Sequence, residues 1–267
     1  MGIDLVAKGA DFSANAIGYE APVTRGLRYW GFIGGGTSSD ATARATRMKK
    51  NWLSGGANAA LIGAVSVNDY FASGFKSGAN YLDTGIAEED SQTLLLVSRV
   101  PGATASNPTT DLSANASRPM MAGNGGSTAL PGWNLYYSST PGLPQGTLSF
   151  TYYVDASGTV TQVSSTTLTV PDVTAWKCHA AVIESGVGSR VRGLTSGTNT
   201  GVKAEARTRV KGATPIRIGA GGRSDFAGLH DIAFAALYGV ALTDAEIDTV
   251  YAAVKSYLAA RPTPIAI

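Results

Sequence analysis

The residues able to do chemistry in this chain are few and scattered. There are two histidines, His179 and His230, and one cysteine, Cys178. Cys178 and His179 are neighbours within Trp176-Lys-Cys-His-Ala-Ala-Val-Ile183, a run dense in strand formers. Neighbours on a strand face opposite ways, so a nucleophile and base that must meet in space are excluded there. A lone cysteine makes no intramolecular disulfide and supplies no metal-ligand spacing; in that apolar run it is expected to be a small buried hydrophobe. His230-Asp231 reads as the start of a strand beside a glycine turn.

Carboxylates offer two further chemistries. Glu246-Ile-Asp248 has the i, i+2 spacing that places two acids on one face of a strand, as glycosidic hydrolysis in retaining enzymes requires at about 5–5.5 Å. Here the letters open a helix, where i and i+2 diverge, and Glu246 is accounted for as the far end of a Thr243-Asp-Ala-Glu246 capping box. Calcium wants several converging oxygens. Asp83 with Glu88, Glu89 and Asp90 near one turn, and Asp225 with Asp231 near another, are the candidate ligands. Their spacing does not specify a cage, and solvated turn carboxylates account for them equally. No other cofactor is expected.

Recognition rather than catalysis points to Trp133-Asn134 and Tyr136, which follow Asn124-Gly-Gly-Ser-Thr128. A ring face stacks on sugar C–H groups while amides and hydroxyls take the polar edge, so these three are the candidate glycan platform. The alternative is that Trp133, Leu135 and Tyr137 are the inward face of a strand. Gly219-Ala-Gly-Gly222 and Gly31-Phe-Ile-Gly-Gly-Gly36 lack the Lys-Ser/Thr of a phosphate cradle; tight turns and close backbone approach explain them. The cluster Arg44-Ala-Thr-Arg47-Met-Lys49-Lys50 reads as a solvated helix face or an anion-facing patch at a subunit contact. With a net charge of only +2 from 21 basic and 19 acidic residues, nucleic-acid binding is not expected.

The elements that must carry these residues are mostly strands. Glycine contributes 33 of 267 residues and charged residues 15%, against roughly 25% in an average globular chain. That is the profile of a turn-rich β protein, and one elaborated domain spanning 1–267 is the economical reading. Residues 3–20 suggest an opening strand. An N-terminal insertion of about 21–75 follows, without strand character at first, and carries a helix near 40–53 in which Asp40 caps and Ala41, Ala45, Met48 and Trp52 recur at helical spacing. Gln92-Thr-Leu-Leu-Leu-Val-Ser-Arg99 reads as a strand buried on both faces. Residues 100–118 read as a long surface loop. Regularly spaced strands then run from Met120 to Val240, with Ile232, Phe234, Ala236 and Tyr238 opposed to Ala233, Ala235 and Leu237. A helix over 244–260 closes the chain, with Ile247, Val250, Tyr251, Val254 and Leu258 on one stripe and prolines 262 and 264 ending it.

Three segments resemble laminin-G-like domains of the concanavalin A-like superfamily: Tyr81-Leu-Asp-Thr-Gly-Ile86 with Thr93-Leu-Leu-Leu-Val97; residues 176–183 with Arg190-Val-Arg-Gly-Leu194; and the strand and Leu242-Thr-Asp-Ala-Glu-Ile247 helix start near the C-terminus. The resemblance covers residues 75–258 and implies an antiparallel jelly-roll β-sandwich that binds glycans or proteins. Ala10-Asp-Phe-Ser-Ala-Asn-Ala-Ile-Gly18 is similar to the start of laminin-G-like virion and tail proteins of bacteriophages and prophages. The expected role is therefore a non-enzymatic, virion- or tail-associated structural or receptor-binding protein, recognising a cell-surface glycan in the second case. Its partners would be further copies of itself and other virion proteins. The alternative is a glycan-processing hydrolase, because glucanases of the superfamily carry a Glu-Ile-Asp signature. Self-association is expected through the region around Met48 and Trp52 and the 100–118 loop. With no leader pattern at Met1-Gly-Ile-Asp-Leu and no run of 18 apolar residues, synthesis in a bacterial cytoplasm without membrane insertion is expected.

Overall fold

The computed structural model describes residues 20–101, 114–138, 146–170 and 172–267. The opening strand read at 3–20 and most of the 100–118 loop lie outside them. The first third of the chain contains β1 (Leu27–Phe32), α1 (Ala41–Met48), β2 (Ala60–Ile62), β3 (Ser66–Val67), β4 (Ala72–Phe75), β5 (Tyr81–Asp83) and β6 (Gln92–Arg99). The middle contains β7 (Met120–Gly123), β8 (Asn134–Ser138), β9 (Gly146–Val154), β10 (Val160–Ser164), β11 (Leu168–Thr169), β12 (Lys177–Glu184) and β13 (Gly188–Gly193). Short strands β14 (Thr198–Asn199), β15 (Lys203–Ala204), β16 (Thr208–Val210) and β17 (Arg217–Ile218) lead to β18 (His230–Tyr238) and α2 (Asp244–Ala259).

These strands form two antiparallel sheets, so the chain is an all-β sandwich closed by a C-terminal helix. The first sheet runs β14-β13-β12-β6-β18-β4-β3, with β1 also on β18 and β15 on β13. The second runs β10-β9-β8-β7-β17-β5-β2, with β11 and β16 on β9. Alternation decides which side chains meet. Leu94, Leu96, Ala181, Ile183 and Leu237 face the second sheet's Met121, Leu135, Tyr137 and Ile218 in the central core. Leu95, Val97, Ala180 and Val182 point the other way, into an outer core. A register shift between Ile232 and Phe234 inserts one residue into β18 opposite β6. The bulge places both Ala233 and Phe234 in the outer core while Ile232 and Ala235 face inward. The strict alternation expected from the sequence therefore holds from Phe234 onward and is reversed at Ile232 and Ala233.

The N-terminal segment corrects the expectation of an insertion. Leu27–Phe32 pairs with β18 from Phe32↔Phe234 to Leu27↔Tyr238 and is part of the sheet. Tyr29 faces the central core, and Trp30 and Phe32 face the outer one, so this strand is buried on both sides and shows no polar alternation. α1 starts where Asp40 accepts the Thr42 N–H at 2.8 Å and ends at Met48, short of the expected 53. Met48 is fully buried and Trp52 is packed against the outer core. Met48 is therefore withdrawn from any surface contact, while Trp52 is half-buried under Arg47 and Lys50, whose charges are 4.7 and 4.5 Å from its ring.

α2 begins with the expected capping box: the Thr243 hydroxyl accepts the Glu246 N–H at 3.3 Å, and Glu246 accepts the Thr243 N–H at 2.8 Å. Ile247, Val250, Val254 and Leu258 are buried against the outer face of the first sheet, each contributing about 1.5–3 kcal/mol of apolar burial. Arg192 holds Asp248 at 2.8 Å and Arg25 holds Glu246 at 2.6 Å at the helix margins.

Candidate functional site

The residues expected to form a glycan platform are inside the molecule. Trp133 is 1% exposed, Asn134 0% and Tyr136 9%. Trp133 and Tyr137 point into the central core, as the inward-strand alternative required. Tyr136 is on the opposite face of β8 and is covered by Phe226, with ring centroids 5.2 Å apart. Asn134 donates to the Gly125 carbonyl at 2.8 Å. No ring face is left for a sugar there.

The acidic candidates are occupied by the protein itself. Asp83 accepts the Gly85 N–H at 2.9 Å, Asp225 is ion-paired with Arg223 at 2.6 Å, and Asp231 with Arg99 at 2.9 Å. Glu88 is buried against Arg209 and also accepts the Gly212 N–H at 2.6 Å. Glu89 pairs with Arg28 at 2.7 Å, and Asp90 with Lys211 at 2.9 Å. Among the described residues, no three His, Cys, Asp or Glu side chains gather as a metal site would require. Cys178 faces the outer core, where burial raises its thiol pKa, and His179 faces Tyr137 and is depressed to about 3 by desolvation. Glu246 is lowered to about 2, first by its hydrogen bond to Arg25, consistent with a cap and not with a general acid.

Among the described residues, a surface built for a ligand lies where four adjacent strands of the first sheet end together. Trp176 precedes β12, Arg99 ends β6, Asp231 follows the first residue of β18, and Phe71 precedes β4. The pairings Lys177↔Ser98, Asp231↔Arg99 and Ile232↔Ala72 bring those ends side by side. Phe71 and Trp176 are half-buried and meet edge to face at 5.3 Å. The Arg99 guanidinium lies over both rings, 5.0 Å from Phe71 and 4.6 Å from Trp176, while the buried Asp231 carboxylate accepts its Nε–H at 2.9 Å. Two rings and one carboxylate thus hold the guanidinium in a set orientation.

The walls come from elsewhere in the chain. Asn68, Asp69 and Tyr70 form the turn between β3 and β4, and Thr263, Pro264 and Ile265 of the C-terminal tail close the other side. Arg44 of α1 braces the turn, donating to Asp69 at 2.7 Å, to the Val67 carbonyl at 2.8 Å and to the Gly36 carbonyl at 2.9 Å. The glycine run 34–36 packs directly on this turn, with the Gly35 and Gly36 N–H groups donating to Asn68 and Asp69 carbonyls. A side chain at Gly34 would collide with the Tyr70 backbone and one at Gly35 with Arg44, while Gly36 has φ 67°, so each position favours glycine. The groove is about 400 Å³, within the size range of small-ligand sites. Aromatic faces, amide, hydroxyl and guanidinium groups together can stack on and hydrogen-bond a polyhydroxylated ring. Sequence patterns do not group these residues, because they come from five separate segments.

The opposite face, outside the second sheet, is different. Met120, Tyr136 and Tyr152 form a small cluster there under Phe226, which a strap of residues 222–227 lays across the strands. Arg223 lies over the Phe226 ring at 4.2 Å and Arg118 at 5.5 Å. Beside the strap is an open groove of about 430 Å³ with walls from Ser127, Thr128, Gln162, Arg223 and Asp225.

No protein-family model matches the chain, and no curated protein matches its sequence. Solved structures do resemble it. The binding domain of Paraclostridial Mosquitocidal Protein 1 aligns at a TM-score of 0.53 and 13% identity, over 87% of this chain and 52% of that one. The Botulinum Neurotoxin Type G receptor binding domain aligns at 0.51 and 12% over 74% and 47%, and the binding domain of Botulinum Neurotoxin DC in complex with SialylT at 0.50 and 11% over 77% and 50%. This chain spans about half the length of those chains. At such identities the similarity is one of fold, an antiparallel β-sandwich.

Proposed function

We propose that this chain is a non-catalytic recognition module of a bacteriophage virion or tail, and that it binds a cell-surface glycan in the groove formed by Tyr70, Phe71, Arg99 and Trp176. The observation that carries the proposal is the half-buried Phe71–Trp176 pair with a clamped guanidinium at the open end of the first sheet. Such a groove provides a stacking surface whose polar groups are positioned before the ligand arrives. The β-sandwiches of similar fold include receptor binding domains and one in complex with SialylT, which agrees with this assignment. The virion setting rests on the N-terminal phrase 10–18 and its likeness to phage proteins. Among the described residues, the two carboxylates at the Trp176 groove, Asp69 and Asp231, are each ion-paired with arginine. Glycosidic hydrolysis requires one carboxyl group to give up a proton and another to attack or activate water, so binding is preferred to the hydrolase alternative.

A glycan array probed with the purified protein, followed by calorimetry on the best hit, tests the assignment. Trp176→Ala and Phe71→Ala should each weaken binding by at least about tenfold, with no reducing ends released from the bound glycan. A silent array, or a Trp176→Ala protein that is folded and binds undiminished, would remove glycan recognition at this groove.

A further inference from the structure

The surface of the Trp176 groove continues past Tyr70. Asp69 and Tyr70 also border a shallow dip on the α1 side, whose other walls include Phe32, Gly34, Arg47 and Tyr257. Aromatic rings extend from the dip toward the end of α1. Tyr257 stacks on Phe32 with ring centroids 3.7 Å apart, and Phe32 meets Trp52 edge to face at 6.5 Å. Tyr70, Tyr257 and Trp52 are each half-buried, so a track of ring surface leads out of the groove.

Three cations are held on those rings. The Arg261 guanidinium lies 3.6 Å from the Tyr257 ring centroid and 6.0 Å from that of Tyr70, and its Nε–H donates to the Tyr257 carbonyl at 3.1 Å. Arg47 and Lys50 both lie over Trp52. The charges inside the groove are balanced, Arg44 by Asp69 and Arg99 by Asp231. Those along the track are not: among the described residues, Arg47, Lys50 and Arg261 pair with no carboxylate. A ring under a cation restricts the side chain without neutralising it, and all three stay partly exposed. Positive charge fixed in place and left uncompensated favours an anionic ligand before contact is made.

We infer that the saccharide bound at the Trp176 groove is an acidic chain, which runs out over Tyr70 and sets its carboxylate or sulfate groups against Arg47, Lys50 and Arg261. The inference rests on the glycan assignment of that groove and adds the charge of the ligand to it. A chain is needed because the sugar ring stacks inside the groove while the acid groups meet the protein outside it.

Calorimetry on the full chain with matched probes tests this: oligogalacturonate beside its methyl ester, dextran sulfate beside dextran, and a sialylated oligosaccharide beside its desialylated form. In at least one pair the acidic member should bind at least about tenfold tighter at low salt, an advantage that shrinks severalfold at about 300 mM salt. The pair that responds tells carboxylate from sulfate. Arg47→Glu and Lys50→Glu should each cut the advantage at least about threefold, Lys50→Arg should keep it, and Lys203→Glu, on the edge strand β15, should leave it unchanged. Melting curves confirm that the variants are folded. Equal affinity for acidic and neutral members, with both lost in Trp176→Ala, would overturn the inference and leave the groove assignment standing. An acid advantage that persists in the Arg47→Glu, Lys50→Glu double variant would overturn it too, as would acidic binding that survives Trp176→Ala or a single-stranded oligonucleotide that binds as tightly as the best acidic glycan. Silence from every probe together with a silent glycan array would remove the groove assignment and the inference with it.

Discussion

The two outer faces of the sandwich are covered by different devices. Over the first sheet, a sixteen-residue helix lays four buried aliphatic residues onto Trp30, Phe234, Leu95 and Val182, and ion pairs from Arg25, Arg190 and Arg192 tie down its first turns. Over the second sheet, a six-residue strap inserts one ring, Phe226, between Tyr136 and two arginines. A helix presents a repeating stripe and seals the strands it crosses. A strap satisfies one cluster and leaves open surface beside it, where the polar groove and the adjoining cavity at Leu130 lie. On the first sheet the groove beside Trp176 is confined to the end that α2 does not cover.

The largest expected effect comes from breaking the helical seal. Val250→Asp places an unpaired carboxylate in a site with 0% exposure, which should cost about 4 kcal/mol or more and abolish cooperative unfolding at neutral pH, as measured by denaturant titration. On the strap side, Phe226→Ala should cost about 3 kcal/mol. It should also return the Tyr136 phenol, now raised above its ordinary 10.0 by burial, toward that value in a spectrophotometric titration. If Phe226→Ala abolishes folding as Val250→Asp does, the two covers are equivalent and the contrast fails.

Acid should act on the root of the strap. His230 is buried against Phe75, with Nδ1 3.2 Å from the Gly228 carbonyl, and desolvation lowers it from 6.5 to about 4. The unfolded chain therefore takes up the proton first, and stability falls as pH drops from about 6.5 to about 4. His179 adds a loss of the same sign that extends to about 3. Urea melts at pH 7 and pH 5 should show the decline, and His230→Phe should reduce it. Smaller still, Thr243→Ala removes the α2 cap and should cost about 1 kcal/mol. Arg192→Ala breaks a pair whose aspartate is 58% exposed and should cost under about 1 kcal/mol.

Much of the first sheet can be read from the chain, because its signals are local. The Thr243–Glu246 box, the Ile247–Leu258 stripe and the apolar runs of β6 and β12 each announce themselves within a dozen residues. β1 does not, since it is only six residues long and Arg28 and Gly31 interrupt its apolar run. The Trp133–Tyr137 stretch shows the limit for the site. Alternation correctly allows Trp133 and Tyr137 to be inward, but nothing nearby says that Phe226, ninety residues on, covers Tyr136.

The sequence alone determined a turn-rich β chain with a capped terminal helix, and it removed Glu246 and Asp248 from catalysis, because helix caps, strand runs and turn glycines are short-range preferences of the backbone. Only the tertiary structure decided which aromatics are at the surface. Tyr70, Phe71, Arg99 and Trp176 come together through antiparallel pairing of strands far apart in the chain, and the expected platform at Trp133, Asn134 and Tyr136 is lost to the same long-range packing. Exposure belongs to the assembled sheets and their covers, and no single segment encodes it.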